Sequence, residues 1–260
     1  MNQKIVPRLW LHGRAEVAAR FYVSAFTASG IAGIVRPGEP DAKPPGKARG
    51  MATSVAYEIE GRRFLVSGGG PALAFPPAIS LTVACPTAIE FDRLYGALSS
   101  GDRRLPLSLG SGPFCERSAW FTDRYGLPWR LSLGCARRKI TPTLLFVGKR
   151  YGGAEEAMRF YVSVFDGSKV ETVVLHEKGK GEKEGAVKYA VFSLGGERFI
   201  AMDSGLDHRL AFTPAISFAV KCESRDETEY FRSRLGAAPH ARRGGLVQDK
   251  FGIFWQLLPH

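Results

Sequence analysis

Few side chains in this sequence stand at spacings that chemistry could use. The five histidines, His12, His176, His208, His240 and His260, never recur as His-x-x-x-His and fall mostly in predicted loops or at the terminus. They read as solvated groups and not as metal ligands. The four cysteines, Cys85, Cys115, Cys135 and Cys222, lack C-x-x-C spacing, and Cys85 and Cys222 end apolar strands, which points to buried thiols. Asp123 and Asp249 each precede a glycine by three residues, a spacing that closes a turn better than it supplies a base. The run Ser67 to Gly70, "SGGG", lacks the Lys-Ser/Thr and following helix of a phosphate loop, and no Ser/His/Asp or paired-carboxylate set is present. What remains are polar side chains inside otherwise apolar strands. These are Ser80, Thr82 and Arg130 in the first half of the chain, with Ser217 and Gln256 in the second. Tyr57 and Tyr189, with Trp120, either line a pocket beside them or pack in the core.

The elements that must position these residues are written twice. "FYVSAF" at Phe21–Phe26 returns as "FYVSVF" at Phe160–Phe165, "IVPRLW" from Ile5 as "ITPTLL" from Ile140, and "EGRRF" ending at Phe64 as "GGERF" ending at Phe199. "FPPAIS" ending at Ser80 returns as "FTPAIS" ending at Ser217, and "TDRYGLPWRL" ending at Leu131 as "QDKFGIFWQL" ending at Leu257. A period this long marks a duplicated domain and not a solenoid. Residues 1–135 and 139–260 are the two predicted domains, joined near "CARRK", with 45% apolar residues to build two cores. In each copy Ala15, Ala18, Ala19, Tyr22 and Phe26, or their counterparts, form a helical stripe after an opening strand. Alternating runs broken at Glu60-Gly61 or Gly195-Gly196 then predict hairpins. The order begins again at "AISLTVAC" and "AIEFDRLYGAL", so each copy reads as βαβββ followed by βαβββ.

That order, with "FY" in the first helix, "AISL" or "AISF" in a strand, and "DRYGLPWR" or "DKFGIFWQ" at the end, resembles the vicinal oxygen chelate superfamily. This superfamily includes glyoxalase I, extradiol dioxygenases and bleomycin resistance proteins, and the match is most similar to its PhnB-like branch. The resemblance implies an α+β fold of tandem vicinal oxygen chelate domains, each made of two βαβββ modules with a curved mixed sheet. Some members of the branch bear a 3-demethylubiquinone-9 3-methyltransferase name, but no glycine-rich strand-to-helix turn for a methyl-donor nucleotide is evident in the sequence. Metal-using relatives place His, Gln or Glu on four strands. The resemblance carries those positions to Pro7 and Pro142, to the neighbourhood of Ser67 and Met202, to that of Ala78 and Ala215, and to Arg130 and Gln256. Only Gln256 among these is a ready ligand, so no metal and no other cofactor is expected.

Strand alternation assigns what stands there instead. Ile79, Leu81 and Val83 are predicted to face the helices, leaving Ser80 and Thr82 on a groove face, and Trp129 and Leu131 likewise leave Arg130 there. Ser217 and Gln256 hold the matching positions in the second copy. Arg130 either satisfies an internal acid such as Glu58 or Asp92 or anchors an anion through its forked donors. The expected function is metal-free binding of a small organic molecule, with an anionic one suited to the net charge of +11, whose excess lies mainly in the first copy. The alternative is a lyase, isomerase or oxygenase of the superfamily with an atypical active site. No nucleic-acid motif accompanies the basic clusters "GKARG", "ARRK" and "HARRGG". No apolar run long enough for a membrane helix and no signal-type leader are present, so a cytoplasmic protein with no membrane partner is expected. The two copies are expected to pair as an intramolecular pseudo-dimer, with a further homodimer open.

Overall fold

A computed structural model describes residues 3–36, 54–69, 71–99, 108–112, 115–134, 140–179, 181–205, 210–236 and 245–259. The "CARRK" junction and the "GKARG" cluster lie outside the described residues, as do Cys135, His208, His240, His260 and all but the last glycine of "HARRGG". The chain divides into two units. One holds residues 7–75 and 80–140; the other holds residues 141–260 together with 1–6 and 76–79. Lys221 N donates to Lys4 O and Leu145 N to Ala78 O, so the two short early segments are tied into the later unit by backbone hydrogen bonds.

The unit of the first copy opens with β1 (Ile5–Trp10), which enters it at Pro7, then α1 (Ala15–Ala25), β2 (Ser29–Val35), β3 (Ser54–Ile59) and β4 (Arg62–Ser67). Their sheet order is β1-β4-β3-β2, with β1 and β4 parallel and the rest antiparallel. A second module follows in a different sheet: β5 (Ile79–Cys85), α2 (Ala88–Ser99), β6 (Ser108–Gly112), β7 (Cys115–Thr122) and β8 (Pro128–Leu133), ordered β5-β8-β7-β6. The predicted stripe on α1 is buried through Ala15, Ala18, Ala19 and Tyr22, and the small alanines let the helix lie close to β3. Trp129 of β8 meets Tyr22 and Phe26 with ring centroids 5.8 and 5.9 Å apart, which joins the two modules inside one core.

The later unit repeats the first module as β9 (Ile140–Val147), α3 (Ala154–Val164), β10 (Lys169–Leu175), β11 (Val187–Leu194) and β12 (Glu197–Ser204), in the order β10-β11-β12-β9. Its second module is described in part. Among the described residues it is β13 (Ile216–Lys221), α4 (Arg225–Leu235), β14 (Leu246–Gln248) and β15 (Phe254–Leu258), which is βαββ. Residues 237–244, which precede "LVQ", lie outside the described residues. Ser224 caps α4, accepting from Glu227 N at 3.0 Å, with Asp226 and Glu227 in the positive first turn. No helix among the described residues is long and apolar enough to cross a membrane.

The D-x-x-G turns are the most demanding local structures. Asp123 Oδ1 accepts from Tyr125 N and Leu127 N, and Asp249 Oδ1 from Phe251 N and Ile253 N, so each carboxylate closes its own turn as expected. The glycines that follow sit at φ +83° (Gly126) and +89° (Gly252), a left-handed conformation that a Cβ opposes. A Cβ on Gly126 would meet nothing within 4 Å, whereas one on Gly252 would fall 2.3 Å from Arg150 Nη2. Arg150 is held there by its Nε donating to Phe251 O at 2.5 Å. Gly126→Ala is therefore expected to cost about 1–2 kcal/mol from backbone strain alone. Gly252→Ala should cost roughly 1 kcal/mol more, through the displaced arginine. Urea midpoints of the two variants check the difference, and equal losses would show that Arg150 moves freely.

Candidate functional site

The polar residues predicted for the groove of the first copy come together in one row. Register pairs Thr82 with Arg130 across β5 and β8, and Arg130 with Trp120 across β8 and β7. Because Trp129 points at α1, alternation turns Arg130 to the opposite face, with Thr82 and Trp120 beside it. The Arg130 guanidinium lies over the Trp120 ring, 4.2 Å from its centroid, a cation–π contact. Burial pushes the Arg130 pKa down to about 10, which leaves it charged at neutral pH. Glu58 and Asp92, two acids the sequence offered as partners for it, pair with Arg63 at 2.9 Å and with Arg117 at 2.7 Å. Ser80 stands two residues before Thr82 on the same face of β5 and is buried.

The equivalent row of the second copy is apolar except at its centre. Ala219, Gln256 and Leu246 stand where Thr82, Arg130 and Trp120 stand in the first. Gln256 is buried and its Nε2 reaches Leu257 O at 3.5 Å, while Gly245 passes so near that a Cβ there would lie 2.9 Å from that nitrogen. Ser217 is fully buried, and its hydroxyl has no hydrogen-bond partner among the described residues.

The tyrosines are placed differently from the pocket reading. Tyr57 is fully buried on the helix side of its sheet, stacked on Phe64 at 5.3 Å and on Tyr22 at 5.9 Å, so it is a core residue and not part of the Arg130 row. Tyr189 is not its counterpart. Tyr57 pairs with Phe64 across β3 and β4, and in the second copy Phe192 pairs with Phe199 across β11 and β12. Tyr189 lies three residues before Phe192, and with a side-chain period of two it faces the other side of the sheet.

A second polar group in the first copy was not visible as a site from spacing. On β1, Leu9 is buried on the helix side and Arg8 and Trp10 alternate to the other face. Arg8 Nε donates to Ser67 Oγ at 2.9 Å, and its guanidinium lies 4.8 Å from the Trp10 ring centroid. Burial lowers the Arg8 pKa. The available signal was an arginine inside an apolar strand, at a position where the repeat has Thr143.

These residues do not suit a metal. The positions of the superfamily ligands in the first copy are held by Pro7, Ser67, Ala78 and Arg130, and Ser67 already serves Arg8, so the donor set is a hydroxyl and a cation. Among the described residues there is no group of three His, Cys, Asp or Glu that could hold an ion. Residues Gly148–Gly153 do form a glycine-containing strand-to-helix connection, but its amides are spent on Asp203, whose Oδ1 accepts from Gly152 N at 2.8 Å and Ala154 N at 3.3 Å. The same carboxylate takes Val187 N at 2.8 Å, so an internal anion occupies the helix N-terminus where a phosphate would bind.

Comparison with known proteins agrees with this architecture. The sequence profile described as 3-demethylubiquinone-9 3-methyltransferase matches residues 3–132 and again residues 138–258. No curated protein matches the chain. A PhnB protein from Bacillus cereus is 35% identical over 51% of this chain and 100% of its own, with a TM-score of 0.44. Glyoxalase I from Zea mays is 12% identical over 98% of this chain and 93% of its own, with a TM-score of 0.50. A Bacillus subtilis protein bearing a dioxygenase name is 11% identical over 96% of this chain and 83% of its own, at 0.52. The maize and B. subtilis structures share the α+β fold.

Proposed function

We propose, for a chain that belongs to the 3-demethylubiquinone-9 3-methyltransferase family through both of its halves, that it binds a small anionic organic molecule without a metal. The observation that carries this reading is the Thr82–Arg130–Trp120 row, in which a largely desolvated guanidinium lies over an indole on a sheet face. Such an arginine offers two parallel N–H donors to a carboxylate, while the tryptophan and small neighbours supply apolar contact. Catalysis by acid or base finds less support. Of the buried carboxylates among the described residues, Asp123, Asp203 and Asp249 accept backbone hydrogen bonds that hold turns or a helix end, and Glu90 pairs with Arg93 at 3.7 Å. Methyl transfer, which the family description names, needs a held donor nucleotide, and the turn before α3 is filled by Asp203. Cys85 and Cys222 are free buried thiols, which fits a reducing cytoplasmic setting.

A thermal-shift screen of the full chain tests this with small organic acids, their amides and a panel of divalent metals. A specific acid should raise the melting temperature with concentration by mass action, its amide should not, and a chelator should change nothing. Stabilisation that requires a metal, or that amides reproduce, overturns the reading.

A further inference from the structure

We propose that Arg8, Trp10 and Ser67 form a second anion-binding position in the first copy, one that takes a planar carboxylate. It lies on a different sheet from Arg130, because β1 and β4 belong to one sheet and β8 to another. Three observations converge on it. Arg8 spends its Nε on Ser67 Oγ and its face on Trp10, and among the described residues no carboxylate pairs with it, so the edge bearing Nη1 and Nη2 is left to donate. The Trp10 indole N–H is buried with no acceptor among the described residues. The residues across β4 and β3 on the same face, Leu65, Ala56 and Ser54, are apolar or small and bring no acid near.

Donors thus outnumber acceptors at this position. An arginine is always charged, and an indole nitrogen can only donate, so neither can satisfy the other. The missing partner is an oxyanion, and the surroundings favour a carboxylate over a phosphate. The fork can take two oxygens of either group, but Leu65 and Ala56 on the same face suit the organic body of a carboxylate better than a wholly polar phosphate. The second copy has Thr143, Leu145 and Met202 at these positions, which removes both donors. The inference does not depend on Arg130.

Nuclear magnetic resonance of the full chain tests it with benzoate and inorganic phosphate as probes. The Arg8 Nε–H signal is assigned by its loss in Arg8→Met. In the wild type this signal and the Trp10 indole N–H signal, assigned by its loss in Trp10→Phe, should both shift saturably with benzoate. In Arg130→Met the midpoint should be unchanged, which separates this position from the one proposed above. Arg8→Lys keeps a charge but not the fork, and should weaken benzoate at the Trp10 signal at least tenfold with an unaltered melting temperature. The inference fails if neither signal moves in the wild type, if benzoate acts only when Arg130 is present, or if phosphate saturates at lower concentration than benzoate. The wild-type titration decides even if a variant folds poorly.

Discussion

Arg130→Ala is expected to weaken the binding of an organic acid to this protein by on the order of 2 to 5 kcal/mol. The size follows from what the substitution removes. Arg130 is charged, desolvated and already oriented by Trp120 and its strand neighbours, so a ligand carboxylate would gain two parallel hydrogen bonds without first ordering the side chain. Arg130→Lys keeps a cation but loses the flat fork and much of the contact with the indole, and should recover only a small part of the affinity. Gln256→Ala, at the matching position of the second copy, should cost about 1 kcal/mol or less, since a neutral amide makes neutral hydrogen bonds. Titration calorimetry with an acid from the thermal screen measures all three. If Arg130→Ala lowers the melting temperature and leaves affinity intact, the arginine is a structural residue and the binding reading is wrong.

The second large effect concerns stability. Asp249 is buried, and its carboxylate takes Phe251 N and Ile253 N on one oxygen and Trp255 Nε1 (2.8 Å) and Tyr161 Oη (2.7 Å) on the other. Asp249→Ala strands four donors at once, each worth roughly 1–3 kcal/mol when left unpaired, so a loss on the order of 4 kcal/mol is expected in urea denaturation. Loss of only about 1 kcal/mol would show that water reaches the turn. The pH dependence has a definite sign. Burial raises the pKa of Asp249 above its ordinary value despite the hydrogen bonds, so the folded state holds this proton more tightly than the unfolded chain. Its protonation therefore favours the fold at low pH, and that contribution is lost as pH rises from about 4 through the folded-state pKa. The advantage of the wild type over the non-titrating Asp249→Asn should narrow over that rise. Asp123, also raised by burial, should behave alike.

This carboxylate cluster explains why the same words are written twice in the sequence. Tyr161 of "FYVSVF" donates to Asp249 of "QDKFGIFW", and Trp255 of the same block donates to it as well. In the first copy Trp129 donates to Asp123 at 2.9 Å, and the nearby carboxylate helps to raise the Tyr22 hydroxyl far above its usual pKa, after burial itself. The repeated residues are thus the fastener between the helix of the first module and the last hairpin of the second. Their recurrence was plain in the sequence, but their meeting was not, because 88 positions separate Tyr161 from Asp249.

Other residues divide in the same way. The helical stripe through Tyr22 and the face on which Arg130 stands follow from local periods of 3.6 and 2, the duplication from recurring blocks, and the closing of turns by Asp123 and Asp249 from the D-x-x-G spacing, all of which a chain carries whatever surrounds it. Tyr57 and Tyr189 were matched by residue type, and one unrecognised offset of three was enough to place them on opposite faces. Arg8 stands one residue from Pro7, and a lone cation in an apolar strand carries no chemical signal by itself; its partners Ser67 and Trp10 come beside it only through the pairing of β1 with β4 and the strand's own alternation. By itself the sequence determined two copies, the order of their elements and the face of strand residues such as Arg130. Only tertiary structure decided which polar groups share a neighbourhood. Strand register is set by long-range backbone hydrogen bonds, and those brought Thr82, Trp120 and Arg130 from three separate strands into one row.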